Sequence, residues 1–486
     1  MWAKQSKDET LDETKHSLLD SYNFNDLSDM QKERLLRSST IEVRPDELSD
    51  DNGEKAEKMK ESDKASIFGS AMNIANTIMG AGVLSLSNVI RQFGILLGSF
   101  IIAFSCVLTY FSCSLLLKTK NLSHHSQYIS IGKHCFGNKG FWFVKLMIVV
   151  SNLGLCIAYL IIFSTVTKNL LAHNLCANKA LFYCHTNFFT IAAGVVVLPF
   201  MFAKSMAKLQ NLSIVAVIAA GVFCFIIIYH YVQTLINGTY AKFSSINFLP
   251  AIQSPVEMWK ALASVTSVFT AYVFQVNFFS VYKTLRNPTD SRMKDTTFLG
   301  LGVVLTIYLS VAICGYLAFG SGSEELMKHF TEKRLGFIPY VTINVAFLFS
   351  AVLTLPLAFF GARNEVYGAV KLLRKMCGGR NSKLDDDERI LEERYGLTGA
   401  SYVIFVLVLF SSVIAIAIAV PGINEVLSFL GSTAANGISF LLPSMFYLKL
   451  SSSRGRLRKT AYFTFTIGAV AGIVGIVASA LAPKNY

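Results

Sequence analysis

Apolar residues gather into eleven runs separated by short polar stretches, near 67–89, 94–117, 142–171, 188–203, 212–236, 257–282, 296–319, 337–370, 400–420, 424–448 and 460–482. A helix crosses a bilayer with about 20 apolar residues, so the pattern predicts an all-α membrane protein of eleven transmembrane helices. The fourth run is short. The third and eighth exceed a simple span and are expected to tilt or to project beyond the membrane. The polar positions inside the runs then become the informative ones. The first run, IFGSAMNIANTIMGAGVLSLSNV, carries Asn73, Asn76, Thr77 and the triplet Gly80, Ala81, Gly82 at its middle. Two glycines cost about 1 kcal/mol each in helix propensity. In lipid, freed backbone groups are tolerated only where they face protein or a cavity, and a discontinuous membrane helix points to a transporter's binding site.

Residues 1–64 show no such pattern. Runs such as SKDETLDETKHS and DNGEKAEKMKESDK cannot bury a core, so the sequence predicts a disordered cytoplasmic tail, followed by a membrane domain over 65–486. With the N-terminus inside, the inner loops hold 22 Lys and Arg, and the outer loops with the C-terminal end hold seven. That bias follows the positive-inside rule, and a missed helix would swap the sides of every later loop. Composition agrees: 53% of residues are hydrophobic and only 15% charged, against about 25% charged in an average soluble domain. The net charge of +13 is thereby explained by membrane topology, and no nucleic-acid partner is expected. The expected partners are membrane lipid and a small molecule. On the outer side, Asn237-Gly238-Thr239 forms a glycosylation sequon, and Cys176 and Cys184 share one loop where they can form a disulfide. The nine cysteines lack CxxC spacing, so no metal site is expected.

Three places in the runs can carry chemistry. An opened helix around Asn73, Asn76, Thr77 and Gly80–Gly82 frees amides on one side of the break and carbonyls on the other. Amides suit a substrate carboxylate, and carbonyls suit a monovalent cation. A glycine-rich packing seam accounts for the glycines but not for the two Asn and the Thr. The sixth run has Thr266, Thr270, Gln275, Asn277 and Ser280 without Gly or Pro, so nothing in its composition forces a break. In the eighth, Thr354 precedes Pro356, which leaves the Val352 carbonyl without its helical donor. A hydroxyl and a carbonyl there can contact a cation, or the proline can simply kink the helix. No Asp or Glu lies deep in a run. Proton-driven carriers commonly use such carboxylates, so a cation held by carbonyls and hydroxyls is favoured, with Na+ or H+ as the candidate coupling ion and no cofactor. No nucleophile–base pair or P-loop is present, and the chain is not expected to be an enzyme.

These features together resemble the amino acid/auxin permease superfamily, and within it the sodium-coupled neutral amino-acid transporters, over residues 66–482. NIANTIMGAGVLSLS has the form of that family's opening motif, with Asn76 at the sodium-linked asparagine. SNLGLCIAYL, FFSVYKTLRNPT, LTLPLAFFGARNEVYG and FLGSTAANGISFLLPSMFYLKL resemble its third-, sixth-, eighth- and tenth-helix segments in the same order. Where many relatives carry His-Pro or His-His, this chain has Gln275-Val276, so a titrating group is missing. The resemblance implies a LeuT-type fold. Helices 1–5 and 6–10 would form an inverted repeat, with the amino acid between discontinuous helices 1 and 6. Asn73, Thr77, Gly80, Ala81, Gly82, Thr270, Gln275 and Asn277 are the expected substrate contacts, and Asn76 and Thr354 the expected cation ligands. The expected function is secondary active, cation-coupled transport of neutral amino acids across a plasma or vacuolar/lysosomal membrane. The rivals are a proton-coupled vacuolar or lysosomal exporter and an amino-acid-sensing receptor.

Overall fold

The computed structural model describes residues 64–175, 186–202, 207–237, 247–250, 254–320, 335–377, 400–420, 422–453 and 455–482. The N-terminal tail, Cys176, Cys184, and Gly238-Thr239 of the sequon lie outside them. Asn237 itself is exposed just beyond a helix end.

Helices account for nearly all the described residues: α1 Ile67–Ile78, α2 Val83–Ser123, α3 Tyr128–Leu175, α4 Thr186–Met201, α5 Ala207–Ile236, α6 Pro255–Ala271, α7 Phe278–Thr284, α8 Asp290–Phe319, α9 Phe337–Cys377, α10 Ala400–Ala419, α11 Ile423–Ser432, α12 Leu442–Leu450 and α13 Arg456–Leu481. Every predicted run falls on one of these or on a broken pair. Six helices among the described residues are long and apolar enough to span a membrane, and a seventh span is added if the bent pair in the tenth run counts as one. The first and sixth runs fail that test because each is split into short pieces, the fourth because its helix has 16 residues, and the fifth because the stretch counted, Gly221–Ile236, is also short. The third and eighth runs lie in long helices, the third in the part of α3 that follows a break at Gly137, φ 61°, and the eighth in the 41 residues of α9.

Local chemistry sets the boundaries. Ser66, Ser254 and Thr289 cap α1, α6 and α8 by accepting from the amides of Gly69, Glu257 and Arg292 at 3.1, 3.2 and 3.3 Å. Pro255 opens α6, where its missing N–H costs nothing. Gly94, at φ 74°, divides the first run from the second inside α2, and a Cβ there would sit 2.6 Å from the Phe248 carbonyl carbon. The Asn247 and Phe248 carbonyls accept from the amides of Ile95 and Leu96 at that corner, both at 3.1 Å. The proline at 356 is carried inside α9.

The helices pack in two groups. In one, α8 lies on α1 and α2, and α2 lies on α6. In the other, α9 lies on α3 and α5, while α3 also meets α4 and α10. One ion pair ties each group: Lys118 to Asp290 at 3.4 Å, between α2 and α8, and Lys145 to Glu365 at 3.2 Å, between α3 and α9. Arg363 in α9 is the single buried Lys, Arg, Asp or Glu among the described residues. Its guanidinium donates to the carbonyl of Met201, the last residue of α4, at 2.9 Å and to the Tyr402 hydroxyl at 2.7 Å. A cation at a helix C-terminus is stabilised by the helix dipole, so this contact joins α4, α9 and α10.

Candidate functional site

The first run breaks at residues 79–82. α1 ends at Ile78, where the Met79 amide still reaches Ala75 O at 2.9 Å, and α2 restarts through looser bonds from Val83 N to Gly80 O and Leu84 N to Ala81 O, both 3.3 Å. The amides of Gly80 and Gly82 have no acceptor among the described residues. The sixth run breaks as well, at residues 272–277 between α6 and α7. The resemblance implied this opening, while the residue pattern alone did not require it.

The two breaks touch. A Cβ on Gly82 would lie 2.5 Å from Ala271 Cα, so only glycine lets the chains approach this closely. The hydroxyl of Tyr308, fully buried in α8, sits 3.0 Å from Ile78 O and 2.9 Å from Ala271 O. Those carbonyls end α1 and α6, where helical donors run out. A phenol has one proton, so it serves one carbonyl at a time, and lone pairs from two helix C-termini are left facing a shared centre. Negative helix ends there favour an ammonium or a metal cation. The free glycine amides beside the start of α2 favour a carboxylate.

The third and eighth runs close the other side. The Tyr159 hydroxyl accepts from the Ala81 amide at 3.2 Å, with the Thr354 side chain near it. A void of about 10 Å³, room for one water, lies between Gly80, Ala81, Tyr159 and Ser350.

The expected site residues divide accordingly. Gly80, Ala81 and Gly82 line the break, and Thr354 reaches it through Tyr159. Asn76 is half-buried on α1, and no hydrogen bond joins it to Thr354. Asn73 is exposed, and its carbonyl accepts the Thr77 hydroxyl at 2.8 Å. Thr270 spends its hydroxyl on Leu427 O in α11 at 2.7 Å. Gln275 is fully buried, and its Oε1 accepts from the Phe274 amide and the Ser439 hydroxyl, both at 3.0 Å. It therefore stabilises the sixth break from the side of the tenth run, where residues Gly437–Leu441 form a π turn. Asn277 is exposed at the start of α7. The sequence reading missed Tyr308, Tyr159 and Arg363. The first two are tyrosines at mid-span depth, a polar signal passed over when only Ser, Thr, Asn and Gln were weighed. Arg363 lies seven residues inside the eighth run as drawn.

Comparisons place this geometry among known proteins. The sequence family described as Transmembrane amino acid transporter protein matches residues 63–481. Vacuolar amino acid transporter 5 of Schizosaccharomyces pombe is 28% identical over 393 residues, covering 79% of this chain and 84% of that protein. Amino acid transporter AVT6B of Arabidopsis thaliana is 26% identical over 400 residues, covering 79% and 82%. Human solute carrier family 38 member 10 is 23% identical over 388 residues, covering 79% of this chain but 32% of the longer human protein. In three dimensions the chain is similar to an inward-facing structure of Mhp1, a LeuT-fold protein, with a TM-score of 0.53 at 10% identity, over 87% of this chain and 92% of that one. At that identity the likeness concerns the fold.

Proposed function

Because the chain belongs to the transmembrane amino acid transporter family, and is no enzyme, we propose that it is a secondary active, cation-coupled carrier of neutral amino acids. The single observation that carries this reading is the meeting of two broken helices at one buried centre, with carbonyl ends, free amides and a phenol facing each other. The amino acid's carboxylate would meet the amides of Gly80 and Gly82, and its ammonium the carbonyls of Ile78 and Ala271. No Asp or Glu is buried among the described residues to pair with a cationic side chain, which disfavours lysine and arginine as substrates. Eleven spans in a five-plus-five inverted repeat are part of the proposal. Breaks in both the first and sixth runs, and ion pairs joining run 2 to 7 and run 3 to 8, support it. The cytoplasmic N-terminus rests on the Lys and Arg distribution.

For the coupling ion, Asn76 on α1 and Thr354 on α9 are the proposed ligands; neither lines the small void beside Gly80 and Tyr159, whose wall also includes Val83, Ile162, Phe223 and Phe347. Oxygens without a carboxylate suit Na+. A second reading, proton-coupled transport across a vacuolar membrane, is favoured by the vacuolar relative. Uptake of labelled amino acids into proteoliposomes, with the sodium and pH gradients imposed separately, tests both. Sodium-driven accumulation is expected. Accumulation driven by a pH gradient alone moves the assignment to the vacuolar reading, and specific binding without any uptake would contradict a carrier.

A further inference from the structure

The Lys and Arg near the helix ends are not all answered alike. Lys118 and Lys145 each pair with an acid, and the stretch 283–295, which joins the sixth and seventh runs, carries Asp290 and Asp295 among its own cations. Two other stretches hold no Asp or Glu at all: 122–140, from the end of α2 into α3, and 449–460, from α12 into α13. The Lys and Arg distribution makes both expected on the inner side. Between them they expose Lys133, Lys139, Lys449, Arg456 and Lys459, and none of these has an ion-pair partner among the described residues. The fold brings the two stretches together. α12 packs on both α3 and α13. Phe446 of α12 meets Tyr128 and Phe136 of α3 with ring centroids 5.6 and 6.4 Å apart, and Lys449 lies close enough to Cys135 to act on its thiol. Arg458 of α13 reaches back to Ser451 O, just beyond α12, at 3.2 Å. At Gly137, φ 61°, α3 folds back so that a Cβ on Gly140 would overlap the Gly132 carbonyl oxygen. That turn keeps Lys139 beside the segment that bears Lys133.

We propose that this surface binds an anionic lipid of the inner leaflet whose headgroup carries several phosphates. Clusters of Lys and Arg immediately beside a span attract anionic headgroups, and this many unanswered cations exceed what a single phosphate neutralises. The start of α13 adds to the case. Its cap, Gly455, offers no side-chain acceptor, and its first turn holds Arg456, Arg458 and Lys459 but no acid. Cations there oppose the positive end of the helix dipole, and an anion at the same place relieves that opposition. The apolar neighbours favour a lipid over a soluble polyanion. Phe136, Phe143, Tyr462 and Phe463 are all exposed. Each lies three or four residues from one of the unpaired lysines, so each shares a helix face with a cation. Arg458 also lies over the Tyr462 ring, 5.8 Å from its centroid. Aromatic rings beside cations are the pattern of a membrane–water interface, where a headgroup and its acyl chains meet the protein together.

The test uses the full chain in phosphatidylcholine nanodiscs, with dioctanoyl phosphatidylinositol bisphosphate as probe and binding followed by microscale thermophoresis. It reads binding and not transport, so its outcome does not depend on the carrier reading. Saturable binding is expected. Lys449→Gln, Arg456→Gln and Lys459→Gln together should weaken it about a hundredfold, the scale of three cations lost from a headgroup site. Lys449→Arg with Lys459→Arg keeps the charge and should keep the binding. A charge-matched control, Arg286→Gln with Arg292→Gln and Lys294→Gln, removes as many cations from the stretch that holds its own acids and should leave binding nearly unchanged. Dioctanoyl phosphatidylglycerol, with one phosphate, should bind at least about tenfold more weakly. Equal weakening by the control would mean that net charge alone attracts the probe, and would overturn the site. So would the absence of saturable binding, or equal affinity for phosphatidylglycerol. Soluble inositol trisphosphate binding as tightly as the lipid would make a free polyanion the occupant and overturn the lipid assignment.

Discussion

The first and sixth runs are both broken at mid-depth, yet by different means. The first opens where its own residues weaken the helix, at Gly80 and Gly82. The sixth opens in Tyr-Val-Phe-Gln-Val-Asn, which holds no glycine or proline and includes two β-branched residues. What holds it open comes from elsewhere. Tyr308 faces the last carbonyl of α6, Gln275 turns its amide oxygen back to the Phe274 N–H, and Ser439 donates to the same oxygen. One break is thus written into local propensity and the other into tertiary contacts. A centre built from two broken helices does not require both to be opened by the same chemistry.

The largest expected effect comes from closing the gap that the first break creates. Gly82→Val places a branched side chain against the Ala271 backbone and should reduce uptake at least about a hundredfold, the scale of a 3 kcal/mol overpacking penalty. Gly80→Ala should cost only about tenfold, because its Cβ would meet the side-chain hydroxyl of Tyr159 at 2.7 Å rather than backbone. Initial rates in proteoliposomes, normalised to reconstituted protein, measure both. Equal losses would mean that the close approach to Ala271 is not what Gly82 provides.

Tyr308→Phe acts on both breaks at once. It removes the shared donor and leaves two buried carbonyls short of a partner, a cost of about 2 kcal/mol, or roughly thirtyfold in uptake. The smallest effects should separate the sixth break from its packing. Gln275→Leu frees the Phe274 amide and is expected to lower uptake about tenfold, whereas Gln275→Glu keeps the accepting oxygen and should lose less. Thr270→Val should leave the half-saturating concentration within about twofold while lowering thermal stability by about 1 kcal/mol, the worth of its bond to Leu427 O. A large rise in half-saturating concentration for Thr270→Val would restore Thr270 to the substrate contacts.

The same contrast explains what was legible before any coordinates. Run lengths located the helices because each run must satisfy one bilayer thickness, and Gly80 and Gly82 marked the first opening because propensity is local. The sixth opening was not legible, since Tyr308 lies 37 residues beyond Ala271, whose carbonyl it faces, and nothing in either run names the other. Polarity at the right depth does not say what a hydroxyl is bonded to. Thr77 and Thr270 were placed in the site because they are polar at the right depth, yet each hydroxyl is spent on a helix carbonyl, its own or a neighbour's. Such bonds are the common fate of Ser and Thr in a medium without water. Tyr159 was present in a segment chosen for its resemblance, but its reach to both Ala81 and Thr354 is a property of packing.

Substrate protection tests most directly whether the two breaks form one amino-acid site. Single cysteines would replace Met79 in the first break and Asn277 in the sixth, with Phe298→Cys, exposed on α8, as a control. The rate of maleimide labelling would be followed in membranes with and without saturating transported amino acid. The account predicts slower labelling at both break positions and no change at the control. Protection at Met79→Cys alone, or at neither, would contradict a shared centre.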